Sequence, residues 1–262
     1  MQDGYAVVAP DYQGLGARIG ASPAHPYLEP RTVGYNIIDA ACAAHLADAR
    51  IGESWLVTGI SQGGAAAWAA AELYPSYGAG SGRLLGVVAA VPVLDPVDLV
   101  DRAQAGGLSH SQKYVYPILV AGVAQAGVDI DVDDYLHGIV KDALLRIISC
   151  SPDQWVAGSE IESAPVSDLQ ADPVPADRLR GHLQRYRLPQ QRTPIPLLVV
   201  YGSADEIIAT AAVEAALARA CALGDHVQWT RVPGGDHNLD AQPVAGQWMA
   251  ARVAGVPALS DC

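Results

Sequence analysis

Residues 55–64 read Trp55-Leu56-Val57-Thr58-Gly59-Ile60-Ser61-Gln62-Gly63-Gly64 and run straight into an Ala-rich stretch from Ala65 to Ala71. An apolar run of strand length, a sharp turn holding a serine between glycines, and a helix-forming tract make a nucleophile elbow. Such a turn forces Ser61 into a strained backbone conformation. A side chain at either flank, Gly59 or Gly63, is expected to collide with the neighbouring strand or helix. The strain holds the serine hydroxyl clear of the backbone, and the N–H groups that follow point at any anion forming there. The competing reading is an ordinary strand-to-helix turn whose serine caps the helix.

The segments around the elbow alternate in type. Tyr5-Ala6-Val7-Val8-Ala9-Pro10 reads as a buried strand, followed by the loop Asp11-Tyr12-Gln13-Gly14-Leu15-Gly16. Val33, Ile37 and Ala41 share one face of a helix predicted over 33–48. Strand 55–59, helix 62–74 and strand 86–91 come next, and later strands 197–201 and 227–232 are separated by a helix over 209–222. This alternation predicts an α/β fold, a mainly parallel sheet with helices on both faces.

Residues 95–165 break the pattern, because 113–126 and 133–148 read as two amphipathic helices with no strand between them. An insertion after the strand that follows the elbow is positioned to form a lid. The expected organisation is therefore a core of residues 1–94 and 166–262 with a helical lid over 95–165. The acidic run Asp129-Ile130-Asp131-Val132-Asp133-Asp134 has the charge of a calcium loop. It lacks the central glycine and has Val140 where the bidentate acid should fall, so it reads as a helix N-terminus.

A chain of 262 residues, half of them apolar, is long enough for one α/β domain with a large core. The net charge of −12, with no cluster of Lys or Arg, argues against nucleic acid and anionic membrane surfaces as partners. No apolar run reaches the ~18 residues needed to span a bilayer. Met1-Gln2-Asp3-Gly4 has neither a basic stretch nor an apolar core, so no signal peptide is read in this chain. Cys42, Cys150, Cys221 and Cys262 lack Cys-x-x-Cys or Cys/His spacing, so no zinc site is expected. Cys42, set among alanines, reads as a buried helical residue; the other three are compatible with disulfides and an oxidising compartment.

A serine hydroxyl is a poor nucleophile at neutral pH until a base takes its proton, and the base needs an acid to hold its tautomer. In a parallel sheet these groups belong on loops at the carboxyl ends of later strands. Strand 197–201 runs into Gly202-Ser203-Ala204-Asp205-Glu206, and strand 227–232 into Pro233-Gly234-Gly235-Asp236-His237-Asn238. The order Ser61, Asp205, His237 is the one expected of α/β-hydrolases. Asp205 has a second reading as a cap for the helix starting near Ile208, with Asp95 the reserve acid after strand 86–91. Glu206 and Asp236 read as neighbours that tune the pair or face water, and His110, His137, His182 and His226 have no comparable context.

With these motifs in place, the chain resembles the secretory lipases similar to Candida antarctica lipase A, within the α/β-hydrolases. The resemblance rests on Gly4 to Asp11, Gly59 to Gly64, the helical insertion ending at Cys150, Ser203 to Ile208, and Gly235-Asp236-His237. It implies Ser61 as nucleophile, Asp205 as acid and His237 as base, a lid that shapes an acyl tunnel, and a disulfide between Cys221 and Cys262. It also implies an exported protein acting on carboxylic esters, including triacylglycerols. Family members carry a further segment before the position of residue 5. That segment supplies the first strands, one oxyanion donor and a cysteine partner for the position of Cys150. The chain is accordingly expected to be a truncated product, a fragment or a shortened variant. A sheet edge left open at residues 5–10 would invite pairing with another chain.

The function expected on these grounds is serine ester hydrolysis through an acyl-enzyme on esters with an apolar acyl chain, with no metal or organic cofactor. The Gln62 backbone N–H supplies one oxyanion donor, and the loop at Asp11 and Tyr12 is the candidate for the second. The alternatives are an acyltransferase using the same triad, and a weak or inactive hydrolase with an incomplete oxyanion hole.

Overall fold

A computed structural model describes residues 4–15, 25–149 and 152–262. Cys150, with the expectation attached to it, lies outside the described residues. In chain order the elements are α1 (Pro30–Ala47), β1 (Ser54–Ile60), α2 (Gln62–Tyr77), β2 (Arg83–Ala90), α3 (Val97–Ala105), α4 (His110–Gln125), α5 (Gly138–Ile147), α6 (Gln154–Glu162), α7 (Pro173–Leu183), β3 (Leu197–Gly202), α8 (Thr210–Leu223), β4 (Val227–Val232) and α9 (Gln242–Val253). They fall into two compact units. One holds residues 30–94 and 188–262 with the described N-terminal segment, the other Asp95–Arg187 with the described part of 21–29. The helical unit thus runs past residue 165 to Arg187, because α7 packs with α3.

In the first unit the four strands form one parallel sheet in the order β1-β2-β3-β4. β3 is buried at every position, as a near-continuous apolar run covered on both faces should be. The alanines of α2 have a packing reason. Ala66, Ala67, Ala70 and Ala71 are wholly buried, and α2 touches β1, β2 and α1 at once. Gly34 of α1 comes so close that an added Cβ would lie 3.1 Å from the backbone of Ala69 and Ala70. Small residues on both helices permit that approach.

The segment Tyr5–Pro10 forms no strand. Tyr5 to Ala9 are exposed, and the segment lines, together with residues of β1 and α1, a cavity of about 970 Å³ whose walls include Val8, Leu56 and Ile37. An apolar run of strand propensity joins a sheet only where it gains a ladder of backbone hydrogen bonds. Here it pairs with none of the described strands.

At the other edge of the sheet the C-terminal tail covers β4. The Asp261 N–H donates to the Val227 carbonyl and the Asp261 carboxylate accepts from the Trp229 N–H, both at 2.8 Å. A disulfide between Cys221 and Cys262 fastens that tail to α8. Cys42 carries a free thiol and is half-buried on α1, more exposed than its alanine surroundings imply.

The helical unit has more helices than the sequence pattern reveals. α6 exposes Trp155 and Val156 and therefore shows no clean apolar stripe, and α7 opens on Pro173, a residue favoured in a first helical turn. Tyr116, Leu119, Leu136, Val140, Ile161 and Leu179 build its core. The acidic run does not open α5. Asp131 instead caps a single 3₁₀ turn over Val132–Asp134, and Asp133 pairs with Lys141 at 2.8 Å. Among the described residues no helix is long and apolar enough to cross a membrane.

One buried acid ties α2 to the segment leading into β3. The Glu72 carboxylate accepts the Gln190 N–H at 3.0 Å, and Asp225 beside it accepts the Thr193 N–H at 2.8 Å. Burial pushes Glu72 up to about 8 from its ordinary 4.5, the Gln190 N–H pulling the other way and the Asp225 charge adding to the rise. A raised folded value means that the stabilisation is complete below pH 4.5 and is lost as the pH climbs to about 8. Thermal unfolding of Glu72→Gln, compared with the parent from pH 5 to 9, should therefore remove a decline on the order of a few kcal/mol. Equal slopes for both proteins would refute this. Opening the bridge that closes a 41-residue loop, by Cys262→Ser, should cost roughly 2–4 kcal/mol in a denaturant titration.

Candidate active site

β1 ends at Ile60 and α2 begins at Gln62, leaving Ser61 alone to make the turn. Its backbone sits at φ 57° and ψ −117°, a strained conformation for a residue with a Cβ. Backbone bonds hold it there. The Ser61 N–H donates to the Ala90 carbonyl at 2.9 Å, and the Ser61 carbonyl accepts from Ala65 at 3.1 Å and from Val93 at 3.4 Å. The side chain makes no capping hydrogen bond to α2, which disposes of the reading as an ordinary N-cap serine.

The glycines differ in their roles. A Cβ at Gly59 would lie 2.0 Å from the Gly63 carbonyl oxygen, an impossible contact with backbone. At Gly63 itself a Cβ would meet nothing within 4 Å, contrary to the expectation that both flanks are blocked. The tight position is Gly64, whose Cβ would lie 2.9 Å from the Ala90 carbonyl oxygen, because the first turn of α2 rests on the end of β2. Just past that end Val91 adopts φ 39°, a strained value for a β-branched residue that no sequence pattern announces.

The strand register brings the other two groups to the same carboxyl end of the sheet. Ile60 pairs with Ala90, Ala90 with Val200, and Gly202 with Val232, so β1, β3 and β4 all end on one side of the parallel sheet. Asp205 follows β3 and His237 follows β4. The His237 Nδ1 lies 2.9 Å from Asp205 Oδ2, with the carboxylate almost wholly buried and the imidazole mostly so. The other carboxylate oxygen, Oδ1, accepts the N–H groups of Ile207 at 2.8 Å and Ile208 at 2.9 Å. The two oxygens of Asp205 are thus divided between two partners. One oxygen caps the turn ahead of α8 and the other faces the histidine.

Burial would raise the Asp205 carboxyl, but the hydrogen bonds from His237, Ile208 and Ile207 outweigh it and hold the group below the ordinary aspartate range. An ionised carboxylate has no proton to give, so His237 Nδ1 must be the donor. That fixes the tautomer and leaves Nε2 with its lone pair free to accept a proton. The arrangement can take a proton from a hydroxyl and stabilise the imidazolium that results.

The remaining candidates sort by their partners. Asp95 is engaged by Arg187 at 2.5 and 2.8 Å, while Asp205 is the carboxylate bonded to His237. Glu206 and Asp236 are exposed, and Asp236 accepts the Asn238 N–H at 2.8 Å. His137 approaches the Gln170 carbonyl, His182 is bonded to Arg185, and His110 and His226 are exposed. Gln62 is the first residue of α2, at the start of which backbone N–H groups favour an anion. The Asp11–Tyr12 loop is braced by a Leu15 N–H to Tyr12 carbonyl bond at 2.8 Å and by the Gln13 N–H donating to Asn36 of α1 at 2.9 Å. Among the described residues no cluster of His, Cys, Asp and Glu is placed to hold a metal ion.

The secretory lipase family model matches residues 1–261. No protein with a curated description is detectably similar in sequence. Among solved structures, Candida antarctica lipase A in its closed state superposes with a TM-score of 0.73 at 16% identity, over 90% of this chain and 57% of that one. A Legionella pneumophila protein described as a hydrolase gives 0.73 at 18% identity, over 97% and 70% respectively. The rice cell wall degrading esterase LipA from Xanthomonas oryzae gives 0.63 at 18% identity, over 94% and 68%. At such identities the likeness establishes the α/β-hydrolase fold, and the chain spans little more than half the length of lipase A. With its sequence matched from end to end and its sheet, elbow and loops in this fold, the chain belongs to the secretory lipase family.

Proposed function

We propose that this chain carries the catalytic machinery of a serine carboxylic ester hydrolase, with Ser61 as nucleophile, His237 as general base and Asp205 as the acid that orients it. The observation that carries the reading is the Asp205 carboxylate shared between His237 and the N–H groups of Ile207 and Ile208, at the carboxyl end of the sheet where Ser61 stands in its strained turn. His237 Nε2 takes the hydroxyl proton as the Ser61 oxygen attacks the ester carbonyl. The Gln62 N–H supplies one donor to the oxyanion, and the loop at Asp11 and Tyr12 is the candidate for the second. His237 then protonates the departing alkoxide, and water hydrolyses the acyl-enzyme by the same proton path in reverse.

In this reading the helical segment 95–165 acts as the lid, and its Leu, Val and Ile content favours an apolar acyl group. The family name and the Cys221–Cys262 disulfide support an exported protein. Nothing in the mechanism requires a metal or an organic cofactor.

Reaction with a fluorophosphonate, read by mass spectrometry, should place one adduct on Ser61 and none in Ser61→Ala. Asp205→Asn and His237→Ala should slow that labelling by roughly 10³–10⁴-fold while the fold survives. Labelling elsewhere, or at an undiminished rate in either variant, would sink the assignment. A p-nitrophenyl ester series from acetate to palmitate should show a burst of acyl-enzyme and rising kcat/KM with chain length. Gly59→Ala should destabilise by more than ~2 kcal/mol and abolish labelling, since its Cβ meets backbone at 2.0 Å. The control is Gly181→Ala inside α7, where a Cβ meets nothing within 4 Å; it should be neutral or stabilising by up to ~1 kcal/mol.

A further inference from the structure

The acid loop and the base loop are laced together residue by residue. The Ser203 Oγ accepts the Gly234 N–H at 2.8 Å, the Ala204 N–H donates to the Gly235 carbonyl at 2.9 Å, and Asp205 holds His237 at 2.9 Å. The Ser203 N–H also donates to the Val232 carbonyl at 3.1 Å, continuing the ladder of β3 and β4 beyond its last paired residues. Two glycines make the approach possible. A Cβ on Gly202 would lie 2.1 Å from the Gly235 carbonyl oxygen, and Gly234 turns the base loop at φ 70°. These contacts close a small ring that runs from Ser203 through Asp205, across to His237 and back through Gly234. Apart from the acid–base pair itself, Ser203 supplies the side-chain contact in that ring.

From this geometry we propose that Ser203 is a positioning residue, its hydroxyl setting where the loop bearing His237 sits against Asp205. The proposal rests on the triad reading above and adds to it a residue that touches no reacting atom. Gly234 is exposed, so its N–H finds water when the serine oxygen is removed, and little stability is at stake. What is at stake is alignment. A loop free to drift lengthens the His237–Asp205 bond, lets the Nε2–H tautomer compete and blunts the base, and a misplacement of ~1 Å can cost about a hundredfold in rate.

The test uses the whole chain with ¹⁵N-labelled histidine. Ring nitrogen shifts of His237 should report the Nδ1–H tautomer in the parent, a mixture with the Nε2–H form in Ser203→Ala, and a return to the parent pattern in Ser203→Thr, which keeps the hydroxyl. Fluorophosphonate labelling of Ser61 should slow by roughly ten- to a hundredfold in Ser203→Ala and recover in Ser203→Thr. The melting temperature should shift by no more than about 2 °C. A parent protein that is not labelled at Ser61 overturns the triad reading. Parent-like ring shifts and labelling in Ser203→Ala, with the parent labelled normally, overturn the role of Ser203 alone. Equal losses in the Ala and Thr variants, or a melting temperature that falls further, also count against it.

Discussion

Everything at the candidate site hangs on one carboxylate serving two masters. Asp205 accepts two backbone N–H groups on one oxygen and faces His237 with the other. The hydrogen bond from His237, with those from the two N–H groups, keeps the acid ionised despite its burial, and an ionised acid dictates which ring nitrogen carries the proton. A neutral or differently turned carboxyl would leave the tautomer open, and Nε2 would no longer be fixed as an acceptor. The turn at Ile207 and Ile208 is thus an electrostatic device as well as the approach to α8.

The elbow works by a different economy, in which absent atoms matter more than present ones. Ser61 is held in a sparsely populated conformation by bonds from its own backbone to β2 and α2, so its hydroxyl is left out of the hydrogen-bond network of the turn. This requires main chain to pass within contact distance of main chain at Gly59 and Gly64, and α2 to lie close over the sheet on its alanines. Packing and strain are two aspects of one arrangement. The close approach over-determines a backbone that would relax if α2 stood further off.

Much of this was legible in the sequence because short patterns carried it. The elbow, the strands over 197–201 and 227–232, and the order of Ser61, Asp205 and His237 follow from periodicity and from the loops after strands, and the structure keeps each strand within a residue or two. What was not legible depended on neighbours distant in the chain. Tyr5–Pro10 has the composition of a buried strand, but composition says nothing of whether a partner edge lies within reach. Gly63 looked as constrained as Gly59, although the crowding falls one residue later, where α2 meets the end of β2. Helix α6 lacked the apolar stripe that would have revealed it, and α9 opens on Gln242-Pro243 with nothing more emphatic to announce it. The bridge between Cys221 and Cys262 came from family resemblance, since spacing alone left the pairing open.

Asp95, the reserve acid of the sequence, and Asp205, its first choice, differ in what their carboxylates already bind. Each follows a central strand of the sheet, and each is buried. Asp95 faces the guanidinium of Arg187, a permanent cation that places two N–H groups on its Oδ2 and already balances its charge. A carboxylate so neutralised has little field left for a proton that arrives only during reaction. Asp205 has neutral N–H groups and a titratable ring as partners, so its charge is balanced only when that ring becomes cationic. An acid can help a base only where its own partner still has a proton to gain, and of the two it is Asp205 whose contacts meet that condition, which is why the proposed triad is built on it.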